Sequence, residues 1–342
     1  MRPLRLLVSV AAASLVLAGC GSSSDDSGSA GSGDAGAGDG QYPLTIKHAL
    51  GTTTIEKKPV RVATVNWANH EVPLALGVVP VGMAAANFGD DDGDGLLPWV
   101  SDKLDELGGE KPVLFDETDG IDFEAVSDTA PDVILASYSG LTQEDYDELS
   151  EIAPVVAYPE QPWATDWREM IELNSTAMGM ADEGEQLVTD LDAEIKQTVE
   201  KVPALSGKSA MFLTHVDTTD LSEVSFYTTH DTRAKFFADL GLATPDSIAT
   251  ASKTTEKFSL TQSAEQVDAL DDVDIIVTYG DHTMVKALKA DPLLSKMPAV
   301  ANDAIVLLPD TPLGTAANPT PLSISYVLKD YVDMMAAAAA GA

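Results

Sequence analysis

Between residues 181 and 201, Leu187, Val188, Leu191, Ile195 and Val199 recur at helical spacing, with Asp, Glu, Lys and Gln between them. Asp182 followed three residues later by Glu185 reads as a capping box. Pro203 and Gly207 stop the run. A helix of this length spans about 30 Å, the width of a small domain. Comparable lengths of mixed apolar sequence lie on either side. The pattern therefore predicts a stiff strut between two lobes, with a cleft beside it.

Ahead of the strut, residues 44–48 and 52–55 alternate in polarity around Gly51 and predict a hairpin. Buried strands are expected within 58–65 and over 78–83, 131–136 and 153–158. A short helix closes at Leu76. Trp163 starts a helix before the strut, with Asp166 and Glu169 as a second capping box. Beyond the strut, strands are expected at 209–215, 226–230, 273–279 and 304–309. Arg233 opens a helix closing at Leu240, and 326–340 forms an apolar C-terminal helix. Short apolar strands alternating with helices make an α/β fold with parallel sheets. Ligands of such sheets lie beyond the carboxyl ends of the strands. That rule nominates Trp67, Asn69 and His70, then Asn87 and Phe88, then Tyr138, Ser139 and Trp163, and His215 in the second lobe.

The front of the chain is of a different character. Arg2 and Arg5 precede an apolar run over residues 6–17, the form of an export signal. It ends in Leu17-Ala18-Gly19-Cys20, which resembles a bacterial lipobox, with Cys20 as the lipidated residue. Cys20 is the only cysteine of the chain, which excludes an internal disulfide. Residues 20–40 hold no large apolar side chain and form a Gly/Ser/Asp tether. Gly31, Gly33 and Gly36 match GxGxxG, but no strand precedes them and no apolar helix follows, so no nucleotide site is read there. The formal charge of −35 argues against a nucleic-acid partner, which demands a basic groove. No stretch of the mature chain is long and apolar enough for a transmembrane helix.

The blocks HALGTTTIEKKPVRVATV, LALGVVPVG, GIDFEAVSDTAPDVILASYSG and LSEIAPVV, in that order, resemble the substrate-binding proteins of ferric-siderophore and vitamin B12 ABC importers. DDDGDGLLPW and the long run from Asp119 to Pro159 are most similar to actinobacterial ferric-siderophore members. The resemblance covers residue 42 to the C-terminus. It implies two Rossmann-like lobes joined by a single long α-helix, the class III arrangement. The expected boundaries are a signal peptide over 1–19, the tether over 20–40, an N-terminal lobe over 41–162, helices including the linker over 163–203, and a C-terminal lobe over 204–342. The resemblance implies a lipid-anchored extracytoplasmic protein that delivers an iron–siderophore complex to an ABC permease, a role that a monomer suits. Two exposed glutamates, one per lobe, would dock on permease arginines; the matching positions are Glu124 and Glu265.

A ferric siderophore is bulky and saturates its own iron, so its binder needs aromatic walls and hydrogen-bond donors rather than metal ligands or a resident cofactor. Trp67, Phe88, Tyr138, Trp163, Tyr227 and Tyr279 are the candidate walls. Arg168 and Arg233 are the candidate donors, since a guanidinium can fork onto chelating oxygens. Haem, cobalamin or a bare zinc or manganese ion are the alternative cargoes. The histidines His48, His70, His215, His230 and His282 leave a metal site open, although no pair has i, i+4 spacing. Asp90–Gly95 matches the start of a calcium loop, but its twelfth position is Ser101, so an acidic surface turn is expected. An α/β enzyme is the remaining alternative. No GxxxxGK[ST], GxSxG or HExxH occurs, and the expectation is that the protein is not an enzyme.

Overall fold

The computed structural model describes residues 42–341; the expected signal peptide, Cys20 and the tether lie outside the described residues. The hairpin forms as read: β1 (Leu44–His48) pairs antiparallel with β2 (Gly51–Ile55). Its alternation places Ile46, Thr53 and Ile55 inward.

The first lobe is built on β3 (Val62–Thr64), β4 (Gly82–Ala84), β5 (Val113–Phe115), β6 (Val133–Ala136) and β7 (Val155–Ala157). They form one all-parallel sheet in the order β5-β4-β3-β6-β7. β3, β6 and β7 are buried along their whole length, as a sheet covered on both faces requires.

The second lobe contains β8 (Ala210–Leu213), β9 (Glu223–Tyr227), β10 (Ser259–Ser263), β11 (Ile275–Tyr279) and β12 (Ile305–Leu308). Their order is β10-β9-β8-β11-β12, the same winding as in the first lobe. The directions differ, however. β8, β11 and β12 are parallel, whereas β9 is antiparallel to both β8 and β10. The expectation of a parallel sheet is therefore corrected for this lobe. Strands β8 and β9 are joined by the loop 214–222 with no crossover helix, and a connection that short returns antiparallel, since a parallel neighbour needs a longer crossover.

The strut is present as the helix Ala181–Val199. It packs on the helix Trp167–Ala177, which lies against β1, β6 and β7, and on the C-terminal helix Ser323–Ala339, which lies against β11 and β12. Leu191 and Ile195 are its buried apolar anchors. Two details of the sequence reading change. Asp182 lies inside the first turn, and the N-cap is Met180, whose side chain makes no capping bond. Gly179 takes φ 67° and ends the preceding helix, which fixes the new start two residues early. The acidic Asp182 and Glu183 then sit where the helix dipole favours them. The helix before the strut begins at Trp167 rather than Trp163, capped by Asp166, which accepts from the Arg168 and Glu169 amides.

Candidate functional site

The loops after β3, β4, β5 and β6 face the loops of the second lobe across a cavity of about 500 Å³. No residue of the strut lines it, so the cleft opens at the strand ends rather than beside that helix. Its first-lobe wall is organised by two asparagines. Asn69 is fully buried; its amide donates to the Val65 and Tyr138 carbonyls, and its Oδ1 accepts from the Tyr138 amide at 3.1 Å and from Asn174 Nδ2 at 3.1 Å. It thereby ties the loop after β3 to the loop after β6. Asn66 accepts from the Gly140 amide through Oδ1 and donates to the Glu117 carboxylate through its amide and Nδ2, adding the loop after β5.

Asn66 and Ala68 hold φ near 60°, as does Trp163, a left-handed conformation that non-glycine residues avoid. Such strain persists where surrounding contacts over-determine it, and it concentrates at ligand sites. Trp67 and Trp163 stand in the cavity wall on these residues' segments. Trp163 packs edge-on to Tyr138, with ring centres 5.4 Å apart. Gly140 makes room for the indole: a Cβ there would lie 2.4 Å from Trp163 Nε1.

The second lobe contributes Tyr227 at the end of β9, Tyr279 at the end of β11, His215 and Phe258. Arg233 stacks over the Tyr227 ring at 4.1 Å. Its Nε and Nη2 donate to the two oxygens of Asp231, which is fully buried and also caps the helix Thr232–Asp239. A buried fork of this kind holds the guanidinium charged, well above its already high value. Phe88 reaches from the first lobe to pack edge-on against Tyr279 and His215. Tyr138 also meets the second lobe, its hydroxyl accepting from Asn318 Nδ2.

Two carboxylates face the same space. Glu71 accepts from Trp99 Nε1 at 2.7 Å and from the Leu322 and Ser323 amides at the start of the C-terminal helix. It thus bonds the first lobe to the buried N-terminus of a helix on the second-lobe side, satisfying two amides that have no partner within that helix. Burial pushes its carboxyl up, and these donors oppose the shift. Burial likewise pushes Glu117 up, opposed by Asn66.

Of the expected ligand residues, Trp67, Phe88, Tyr138, Trp163, Tyr227, Arg233 and Tyr279 come together in this cavity. Arg168 does not. Its guanidinium binds Asp192 of the strut and Asp239 of the second lobe, at 2.8 Å to Asp239 Oδ1, and stacks on Trp167 at 4.1 Å. Its expected role as a ligand donor is corrected to a clamp at the lobe junction. Asn66, Glu117, Phe258 and Asn318 were not anticipated. Glu117 follows β5 and Phe258 precedes β10, the two strands whose sequences carry no apolar run long enough to recognise.

The histidines are dispersed. His48 Nε2 bonds Thr53 Oγ1, and His230 Nε2 bonds the Thr255 carbonyl. His282 begins a surface helix, and His70 and His215 line opposite lobes of the cavity. Among the described residues, the one group of three ligand atoms close enough for a metal ion is Asp90, Asp92 and Asp94. Asp90 accepts from the Gly93 and Gly95 amides, the geometry of the expected acidic turn.

PiaA from Streptococcus pneumoniae TIGR4, solved in complex with ferrichrome, is 44% identical, with a TM-score of 0.84 over 87% of this chain and 99% of that one. The probable siderophore-binding lipoprotein YfiY of Bacillus subtilis (strain 168) is 29% identical over 215 residues, 59% of this chain. The putative ABC transporter substrate-binding lipoprotein YhfQ of the same organism is 25% identical over 231 residues, 67% of this chain. The chain spans 60% and 65% of the lengths of these two curated relatives. A sequence profile of periplasmic binding proteins matches residues 62–312. With two similarly wound lobes facing each other across an aromatic cavity, the chain belongs to the periplasmic binding protein family.

Proposed function

We propose that this protein is the extracytoplasmic binding component of an ABC iron importer. It captures a ferric siderophore between its lobes and hands it to a membrane permease. The observation that carries this reading is the cavity itself. Trp67, Phe88, Trp163, Tyr227 and Tyr279 wall a space large enough for a small-molecule complex, with Arg233 as the donor fixed among them. Iron is cargo here, already chelated, and the protein brings no metal of its own to the site. The relatives named as siderophore-binding support the same reading.

Cys20 would carry the lipid that tethers the chain to the outer face of the cell membrane, since several acyl chains together give stable anchoring. Glu124 and Glu265 would dock on the permease. Each is exposed and lies in a short helical segment that leads into the strand next to a sheet edge, Phe123–Asp128 before β6 and Ala264–Leu270 before β11. Two carboxylates far apart on a rigid frame give a register that one cannot. The DDDGDGLLPW loop and the run from Asp119 to Pro159 favour the actinobacterial type, and a monomer suits delivery.

The test is a titration of the full-length chain in detergent against ferrichrome, haem, cobalamin, zinc and manganese, followed by tryptophan fluorescence. Two of the four tryptophans, Trp67 and Trp163, stand in the cavity wall, so a ferric complex there quenches emission. The expected result is quenching by ferrichrome with Kd below about 1 μM. Tight binding of bare zinc or manganese with no response to any ferric siderophore overturns the reading.

A further inference from the structure

The charges around the cavity do not balance. Its lining carries one permanent cation, Arg233, and that charge is cancelled by Asp231, which accepts from two of its nitrogens while fully buried. Glu71 is occupied by the Trp99 indole and the two amides that start the C-terminal helix. Glu117 is different. Every hydrogen bond its carboxylate accepts comes from one neutral neighbour, Asn66, and it takes part in none of the ion pairs among the described residues. The cavity wall therefore presents a carboxylate with no cationic partner, next to a cation already neutralised.

An anionic complex entering this space meets repulsion from Glu117 and finds no free guanidinium in compensation. A low-dielectric wall strengthens both effects over their value in water. Ferric complexes divide sharply by charge. Three hydroxamates lose one proton each and balance ferric iron, giving a neutral core, to which a pendant ammonium adds positive charge. Three catecholates lose two protons each and leave a strongly anionic complex.

We propose that the cleft takes neutral or cationic ferric complexes of the tris-hydroxamate class, and that Glu117 is the specificity-determining residue that rejects anionic ones. This rests on the ferric-siderophore reading above. Asn66 is the positioning partner: its amide and Nδ2 hold the carboxylate against the wall, while its Oδ1 is held by Gly140.

The experiment titrates the full-length chain in detergent with ferrichrome as the neutral probe, ferrioxamine B as the ammonium-bearing probe and ferric enterobactin as the anionic tris-catecholate. In the wild type, the anionic complex is expected to bind at least about 100-fold more weakly than ferrioxamine B. In Glu117→Gln, the ratio of cationic to anionic affinity is expected to fall by at least about tenfold, a readout that a general loss of fit does not move. A variant-free arm varies ionic strength on the wild type. Added salt should weaken ferrioxamine B and strengthen ferric enterobactin, because screening acts on both signs. Equal binding of anionic and cationic complexes, or a ratio unchanged in Glu117→Gln, overturns the inference while ferrichrome binding leaves the transport reading standing. Failure of all three ferric complexes overturns both.

Discussion

His70 lies in the first-lobe wall of the cleft, with its Nδ1 buried and without a hydrogen-bond partner among the described residues. Burial brings its pKa down to about 4, so the ring is neutral under ordinary conditions. Between pH 6.5 and about 4 the unfolded chain takes a proton that the folded one refuses. Stability therefore falls as the pH falls through that window. Glu71 and Glu117 act in the opposite sense, because a raised carboxyl favours folding at low pH and loses that advantage as the pH rises. Comparison with His70→Gln isolates the imidazole. From pH 6.5 to 4.5, urea unfolding should show the wild type losing about 2 kcal/mol more than the variant. Parallel losses in the two proteins would remove the buried-neutral assignment. At this scale sequence reading found the large aromatic side chains of the wall except Phe258, since aromatic residues at strand ends have little else to do at a concave surface. It could not separate Arg233 from Arg168. Both sit near a helix start with an acidic neighbour, and only the fold brings Asp192 and Asp239 to the second of them.

Gly184 illustrates how elements constrain residues. It lies within the first turn of the strut, where glycine ordinarily costs about 1 kcal/mol relative to alanine. Here a Cβ would stand 2.0 Å from Ser175 Oγ and 2.6 Å from its Cβ, on the helix Trp167–Ala177. The glycine lets the two helices approach closely, and helix propensity loses to packing. Gly184→Ala should thus destabilise the protein by about 1–3 kcal/mol in urea unfolding. A gain in stability would show that the two helices do not meet at that point. The strut was legible because its apolar positions keep the 3.6-residue period over five turns. β5 and β10 were not. β5 is three residues long with an exposed first position, and β10 is mostly polar. Both are edge strands, which need fewer apolar residues than buried ones.

At the scale of the molecule, the lobes are joined by more than the helical connection. Arg168 binds Asp239, Glu71 binds the start of the C-terminal helix, Lys235 donates to the Ala164 carbonyl and the Gly89 amide donates to Asp310. Each bond resists wide opening, so closure on a ligand should be a small adjustment rather than a large hinge motion. A frame of this rigidity suits docking through Glu124 and Glu265. Changing both to Lys should cut uptake of iron supplied as ferrichrome in whole cells by at least about tenfold, because like charges then face the proposed permease arginines. Ferrichrome affinity of the purified double variant should stay within about twofold of the wild type. A matching loss of affinity would move these glutamates from docking to the cleft.

The order of apolar and polar residues determined the α/β class, the strut, the hairpin and the strand ends at which aromatic side chains gather. Those features depend on local periodicity, which is written along the chain. The tertiary structure alone decided that β9 runs backwards, that Arg168 is a clamp, and that Arg233 is neutralised while Glu117 is left unbalanced. Each depends on which distant residues meet, and the balance of charge in a cavity is set by neighbours that sequence spacing does not reveal.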